Sequence, residues 1–137
     1  MAIAEFPTTL EAATATATAS HALGLKVLMG APNIVRGGSH SGNIAAAKLA
    51  RHEVLDILSS DYYPASLLQA AFMLVEQDNG YDLPRAIATV SRSPAQAAGL
   101  HDRGEIRVGL RADLIHAQVH NGQAVIQQVW RQANKVF

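Results

Sequence analysis

Two short apolar runs, Leu25–Met29 and Leu55–Ser59, each lead into a polar loop and then into a stretch with helical character. The first loop spans Arg36 to Asn43 and its helix runs from Ile44 to about Val54; the second spans Ser60 to Pro64 and its helix runs from Ala65 to Gln77. Both apolar runs are too short for helices and have the length of buried strands, whereas Leu, Ala, Phe and Met recur at spacings of three and four after Pro64. Strand, loop and helix repeated in that order is the pattern of parallel βα units, in which each helix carries the chain back so the next strand lies beside the last. Ahead of them, Thr8 to Glu11 has capping-box spacing behind Pro7, and the Ala-rich run Ala12–Leu23 ends at Gly24, placed as a left-handed cap. A helix is expected there.

After Asn79 the rhythm changes. Leu83–Val90 and Ser93–Ala98 read as short helices, with Ser93-Pro94 as an N-cap and first-turn pair. From Gly104 the chain reads as strands, and Leu114–Val119 and Ala124–Trp130 flank Asn121-Gly122, the strongest short hairpin signal. The expected division is therefore residues 1–103, built of βα units, and residues 104–137, built of β-strands. The stripe from Leu67 to Leu74 is expected in the core, and Trp130 and Phe137 are expected to pack the last strands.

Composition narrows the function classes. Lys+Arg and Asp+Glu number 11 each, so no global field draws the chain to nucleic acid or to an anionic membrane, and any anion site must be local. No cysteine is present, which removes disulfides, thiolate zinc sites and cysteine nucleophiles, and suits a reducing cytoplasm. The start Met1–Pro7 lacks the basic and long apolar segments of a signal peptide, and no apolar run reaches the roughly 20 residues of a membrane span. With 49% hydrophobic and 16% charged residues, the chain can bury a core, and a soluble cytoplasmic protein is expected.

Asp61 directly follows an apolar strand, where βα architectures place functional side chains, and a carboxylate there can bind a metal or take a proton from water. An N-cap for the helix beyond Pro64 accounts for the same residue equally well. In the loop Arg36 to Asn43, glycines including Gly38 let the backbone approach a ligand, Arg36 can grip a phosphate through paired hydrogen bonds, and Ser39, His40, Ser41 and Asn43 add neutral donors. A solvated Gly-Ser turn is the alternative, but it leaves the shared arginine and histidine unexplained. Tyr62 and Tyr63 either line a pocket beside Asp61 or simply pack. His21, His52, His101, His116 and His120 lack the partners of a metal site and are read as ordinary surface or helix-end histidines.

Taken together, Glu5-Phe-Pro-Thr-Thr9, Met29-Gly-Ala-Pro-Asn33, Arg36-Gly-Gly-Ser-His-Ser-Gly-Asn43 and Leu58-Ser-Ser-Asp-Tyr-Tyr-Pro64 make the chain resemble phosphonate-catabolising members of the amidohydrolase superfamily. Gly104-Glu-Ile-Arg-Val-Gly-Leu-Arg-Ala-Asp113 is similar to the ending of many amidohydrolases, dihydroorotase-like enzymes included, but those lack the Gly-Ser-His-Ser-Gly loop. The resemblance implies an α/β fold: a partial TIM barrel, comprising the last βα units, followed by a short β segment of a composite β-sandwich. It implies a metal-dependent hydrolase of the carbon–phosphorus lyase pathway that releases pyrophosphate from a phosphorylated ribose phosphonate. Asp61 would be metal ligand and general base, and Arg36, Gly38, Ser39, His40, Ser41, Asn43 and Tyr62 would contact substrate. The cofactor would be a divalent metal, zinc, in the complete enzyme and none in this chain alone. The family's His-x-His pair occurs nowhere in the chain and would belong upstream of residue 1. A missing amino-terminal segment or a homo-oligomer is therefore expected to cover the open edges, and the isolated chain is expected to be inactive. The alternative is a non-catalytic oligomeric or anion-binding module derived from such an enzyme.

Overall fold

The computed structural model describes residues 10–36, 46–76 and 80–137. Helix α1 (Leu10–Ala22) leads to strand β1 (Leu28–Gly30), the one-turn helix α2 (Pro32–Val35) and α3 (Ala46–Arg51). Strand β2 (Ile57–Ser59) and helix α4 (Ser66–Glu76) follow, and then α5 (Leu83–Ala88) and α6 (Arg92–Ala97). The chain ends with β3 (Leu114–His120), β4 (Gln123–Arg131) and β5 (Asn134–Lys135). The proposed capping box at Thr8 lies outside the described residues; at the other end of α1, Gly24 has the expected left-handed φ of 76°.

β1 and β2 pair in parallel, Leu28 opposite Ile57 and Gly30 opposite Ser59. Both strands are shorter than their apolar runs. The reason is visible at Asp56, whose side chain does the work of a ladder residue before the ladder begins. Its Oδ2 accepts from the Val27 backbone N–H (3.0 Å), and the Val27 carbonyl accepts in turn from the N–H groups of Asp56 and Ile57 (both 3.0 Å). Oδ1 accepts from Lys26 Nζ (2.9 Å), and His21 Nε2 lies 3.4 Å from Oδ2, so α1's last turn is held to the same carboxylate. The far edge of β2 is met by the Thr89 carbonyl, which accepts from the Leu58 N–H (3.0 Å).

The core gathers around this pair. Val27, Ile34, Leu49, Val54, Leu55, Leu58, Ala70 and Leu74 are buried together, with Leu67 and Met73 packed against them, as the stripe on α4 required. Each fully buried Leu or Ile side chain contributes about 2 kcal/mol. Tyr81 is also buried; its hydroxyl donates to the Leu55 carbonyl, and Arg85 lies over its ring, 4.4 Å from the centroid, while reaching Glu53 at 2.9 Å.

Three local expectations are corrected. Strands were expected from Gly104, yet β3 begins only at Leu114, and residues 104–113 run as turns and bends in which Gly104 and Gly109 take positive φ (100° and 89°). The Ser93-Pro94 cap pair is displaced: α6 begins at Arg92 behind Ser91, whose hydroxyl donates to the Ile87 carbonyl instead of capping. Phe137, expected to pack the last strands, is 67% exposed because its contribution to the sheet is its backbone carbonyl, which accepts from Val129 N–H (3.0 Å).

The hairpin turn forms as its sequence demands. Asn121 and Gly122 both have positive φ (51° and 74°), the geometry that matches strand twist in a two-residue connection. Gln69 on α4 ties this turn to the helical layer, donating to the Gly122 carbonyl and accepting from the Ala124 N–H (both 2.8 Å). Directly opposed residues share a face of the sheet. The pairs Ile115–Val129, Ala117–Ile126 and Val119–Ala124 are all apolar, whereas the other face is mixed, carrying His116–Gln128, Gln118–Val125 and His120–Gln123 beside the apolar pair Leu114–Trp130. Ile115, Val119 and Ile126 on the apolar face are exposed.

Asp56→Ala should lower unfolding stability by about 2 kcal/mol, because it strands a partly buried N–H and removes a charged acceptor; urea unfolding followed by circular dichroism measures it. Asp56→Asn, which keeps an acceptor, should lose less. At Tyr81, burial pushes the phenol above its ordinary value, with Arg85 opposing. The folded state therefore holds the phenolic proton more tightly than the unfolded chain does, so this contribution is whole below about pH 10 and is lost as pH rises through the folded value. Tyr81→Phe should cost about 1 kcal/mol at neutral pH and flatten the alkaline limb of the stability curve.

Candidate functional site

Parallel strands end together, so whatever follows them is brought to one edge. β1 ends at Gly30 and β2 at Ser59, and the Ala31 N–H donates to the Ser59 carbonyl (2.7 Å), closing the ladder at that end. Beyond Ser59 the chain turns, the Tyr63 N–H donating to the Ser60 carbonyl (2.9 Å). Asp61 occupies this turn with φ of 51°, a left-handed conformation that Asp tolerates better than most residues. Its side chain comes back over β1: a Cβ built on Gly30 would lie 3.3 Å from Asp61 Oδ2.

The cap alternative for Asp61 does not match this arrangement. α4 begins at Ser66, five residues on, and Ser66 N–H instead meets the Tyr63 carbonyl (3.0 Å). Asp61 is exposed, and among the described residues its carboxylate has no hydrogen bond or ion pair. An uncommitted carboxylate at the end of a strand can accept a proton or donate oxygen to a cation.

Arg36 reaches the same edge by another route. The single turn of α2, anchored by buried Ile34, carries the chain from Gly30 to Arg36, whose backbone N–H closes the turn on the Pro32 carbonyl (3.0 Å). Its guanidinium lies over the Tyr62 ring, 5.2 Å from the centroid. A cation–π contact this exposed is worth about 0.5 kcal/mol, enough to bias the side chain but not to bury it. Arg36 forms no ion pair among the described residues. A carboxylate and a guanidinium thus follow the ends of the two paired strands with no ion pair between them, and Tyr62 is next to the first in sequence and beneath the second.

The structure brings Asp61, Tyr62 and Arg36 together. Gly38, Ser39, His40, Ser41 and Asn43 lie outside the described residues. The remaining histidines are elsewhere: His21 faces Asp56, His120 meets Gln118 Oε1 at 3.2 Å, and His52, His101 and His116 are exposed. Among the described residues no cluster of three or more His, Asp or Glu is arranged to hold a metal. Asp61 fits one position in the coordination shell of a divalent cation. Gly30, which lies against Asp61, was not among the sequence candidates. Its sequence signal, a glycine at the end of an apolar strand, reads as a strand stop until the neighbour beside its empty side-chain space is known.

A family profile described as "Amidohydrolase family" matches residues 10–128. The chain is 58% identical over 136 residues to the alpha-D-ribose 1-methylphosphonate 5-triphosphate diphosphatase of Escherichia coli (strain K12), a match covering 98% of this chain and 35% of that protein. The chain thus spans about a third of that relative's length. Among solved structures, an amidohydrolase from Thermotoga maritima MSB8 is similar in fold, with a TM-score of 0.56 at 13% identity, over 96% of this chain and 42% of that one.

Removing the ring beneath Arg36 should free its side chain. Tyr62→Leu is expected to drop the heteronuclear NOE of the Arg36 Nε–H toward that of a solvated arginine, with a stability change within about 0.5 kcal/mol, as for other exposed positions.

Proposed function

The chain belongs to the amidohydrolase family, and from that premise we propose that it forms the carboxy-terminal part of a metal-dependent phosphonate-catabolising hydrolase. The substrate would be the one named for the E. coli relative, alpha-D-ribose 1-methylphosphonate 5-triphosphate, with pyrophosphate released. The observation that carries the reading is the 58% identity to that enzyme combined with an uncommitted carboxylate, Asp61, at the shared end of the two parallel strands. In this reading β1 and β2, with their helices, are the last βα units of a TIM barrel. Residues 104–137 form part of a small β-sandwich whose second layer covers the apolar face of the sheet, with the boundary near residue 103.

Asp61 would be one ligand of a divalent metal, zinc in this proposal, which when bound lowers the pKa of water and offsets phosphoryl charge. The chain's own residues do the rest. Asp61 takes the proton as the water oxygen bonds to phosphorus, the bridge between the α- and β-phosphates breaks, and pyrophosphate leaves with the bridging oxygen. Arg36, oriented by Tyr62, binds phosphoryl oxygens, and Gly38, Ser39, His40, Ser41 and Asn43 add backbone amides and neutral donors around the same phosphates. The remaining metal ligands would come from the part of the relative's length that this chain does not span, so turnover requires the complete enzyme. The balanced charge argues against a nucleic-acid partner, and the cysteine-free sequence favours a cytoplasmic setting.

In the complete enzyme, Asp61→Asn should lower kcat for pyrophosphate release by at least about a hundredfold. Arg36→Gln should raise KM about tenfold with a smaller effect on kcat, since the lost contact is made to substrate and transition state alike. Turnover that survives Asp61→Asn would end the assignment.

A further inference from the structure

Six of the described glycines, Gly24, Gly80, Gly99, Gly104, Gly109 and Gly122, have positive φ and are accounted for by backbone conformation. Gly30 is the exception. Its φ lies outside the left-handed region, so any L-residue can adopt its backbone, and as the last residue of β1 it occupies a position where a side chain would strengthen the strand. Among the described residues, the atoms nearest to such a side chain come from one residue. The three atoms nearest an added Cβ all belong to Asp61: Oδ2 at 3.3 Å, Cβ at 3.5 Å and Cγ at 3.7 Å. Asp61 in turn has no hydrogen bond or ion pair among the described residues to hold its carboxylate, and its backbone sits at a positive φ.

We infer that Gly30 is the positioning residue for the Asp61 carboxylate: its missing side chain is the seat across which that carboxylate lies at the end of β1. The inference rests on the reading of Asp61 as proton acceptor and metal ligand, and adds the element that sets its position. A methyl group at residue 30 leaves the backbone undisturbed but presses on Oδ2, which must give by a few tenths of an ångström. Catalytic groups tolerate little misplacement; an error of about 1 Å can cost on the order of a hundredfold in rate. Turnover should therefore fall in proportion to the volume placed at residue 30, while the fold holds.

The test measures Gly30→Ala and Gly30→Val beside Asp61→Asn in the complete enzyme, by pyrophosphate release, together with thermal unfolding of each Gly30 variant. Expected are a kcat lowered about fivefold by alanine and further by valine, a KM within about twofold, and melting temperatures equal to or above that of the parent. A crystal structure of Gly30→Ala in the complete enzyme should show the Asp61 carboxylate displaced. Unchanged kcat in both Gly30 variants, or an unmoved carboxylate, overturns the inference. So does a melting temperature that falls in step with activity, which would make Gly30 a packing requirement. Turnover lost in Asp61→Asn but kept in Gly30→Val removes the role of Gly30 alone. Turnover kept in Asp61→Asn, or absent from the parent enzyme, removes the functional reading beneath it.

Discussion

The carboxylate of Asp56 ties the start of β2 to the end of α1 and to the entry of β1. It accepts from the Val27 N–H, from Lys26 and, at longer range, faces His21 at the end of α1. A parallel strand pair has no tight turn to set its register, unlike a hairpin, and must obtain it from side chains or from packing. Here the Asp56 side chain and the Val27 carbonyl interlock before the ladder starts, so Leu28 falls opposite Ile57 and Gly30 opposite Ser59. A slip of one residue would turn Leu58 out of the core and separate Asp61 from Gly30. The placement of the candidate site therefore depends on an interaction at the opposite end of the strands.

The chemistry proposed at that site depends on groups left uncommitted among the described residues. Asp113, elsewhere in the molecule, shows the contrast: it accepts from the Gln132 N–H (2.8 Å) and pairs with Arg111, and the backbone hydrogen bond first, then the arginine, hold its carboxyl below the ordinary value. Its oxygens are occupied with structure. Asp61 has no such partner among the described residues, and Arg36 rests on an aromatic face instead of a carboxylate. A cation–π contact orients a guanidinium while leaving its N–H donors available for a phosphate, which an ion pair would not.

Periodicity made much of the fold legible. The apolar runs, the stripe on α4 and Asn121-Gly122 each act within a few residues, and their elements appear where those signals lie, with ends shifted by at most three residues. The helix α2 was not legible, because Gly-Ala-Pro-Asn reads as a turn and one helical turn carries too little periodicity to overrule it. Which residues share a face of the last sheet was equally hidden: a bulge between His116 and Ala117 shifts the pairing, so the faces depend on a register that alternation alone does not reveal. At the candidate site, Asp61, Tyr62 and Arg36 were nominated by residue type and loop position, and Gly30 was not, since the role proposed for it rests on the atoms beside the space it leaves.

By itself, the amino-acid sequence determined the mixed α/β composition, the order of strands and helices, the hairpin, the absence of thiol chemistry and the residue types capable of handling a phosphate and a metal. These follow from chemistry carried by single residues or close neighbours. Only the tertiary structure decided that Asp61 lies across Gly30, that Arg36 rests on Tyr62, and that Asp56 fixes the register joining them. Those relations link residues about 26 to 31 positions apart along the chain, and no local propensity encodes a contact across that distance; it exists once β1 and β2 pair and the core beneath them closes.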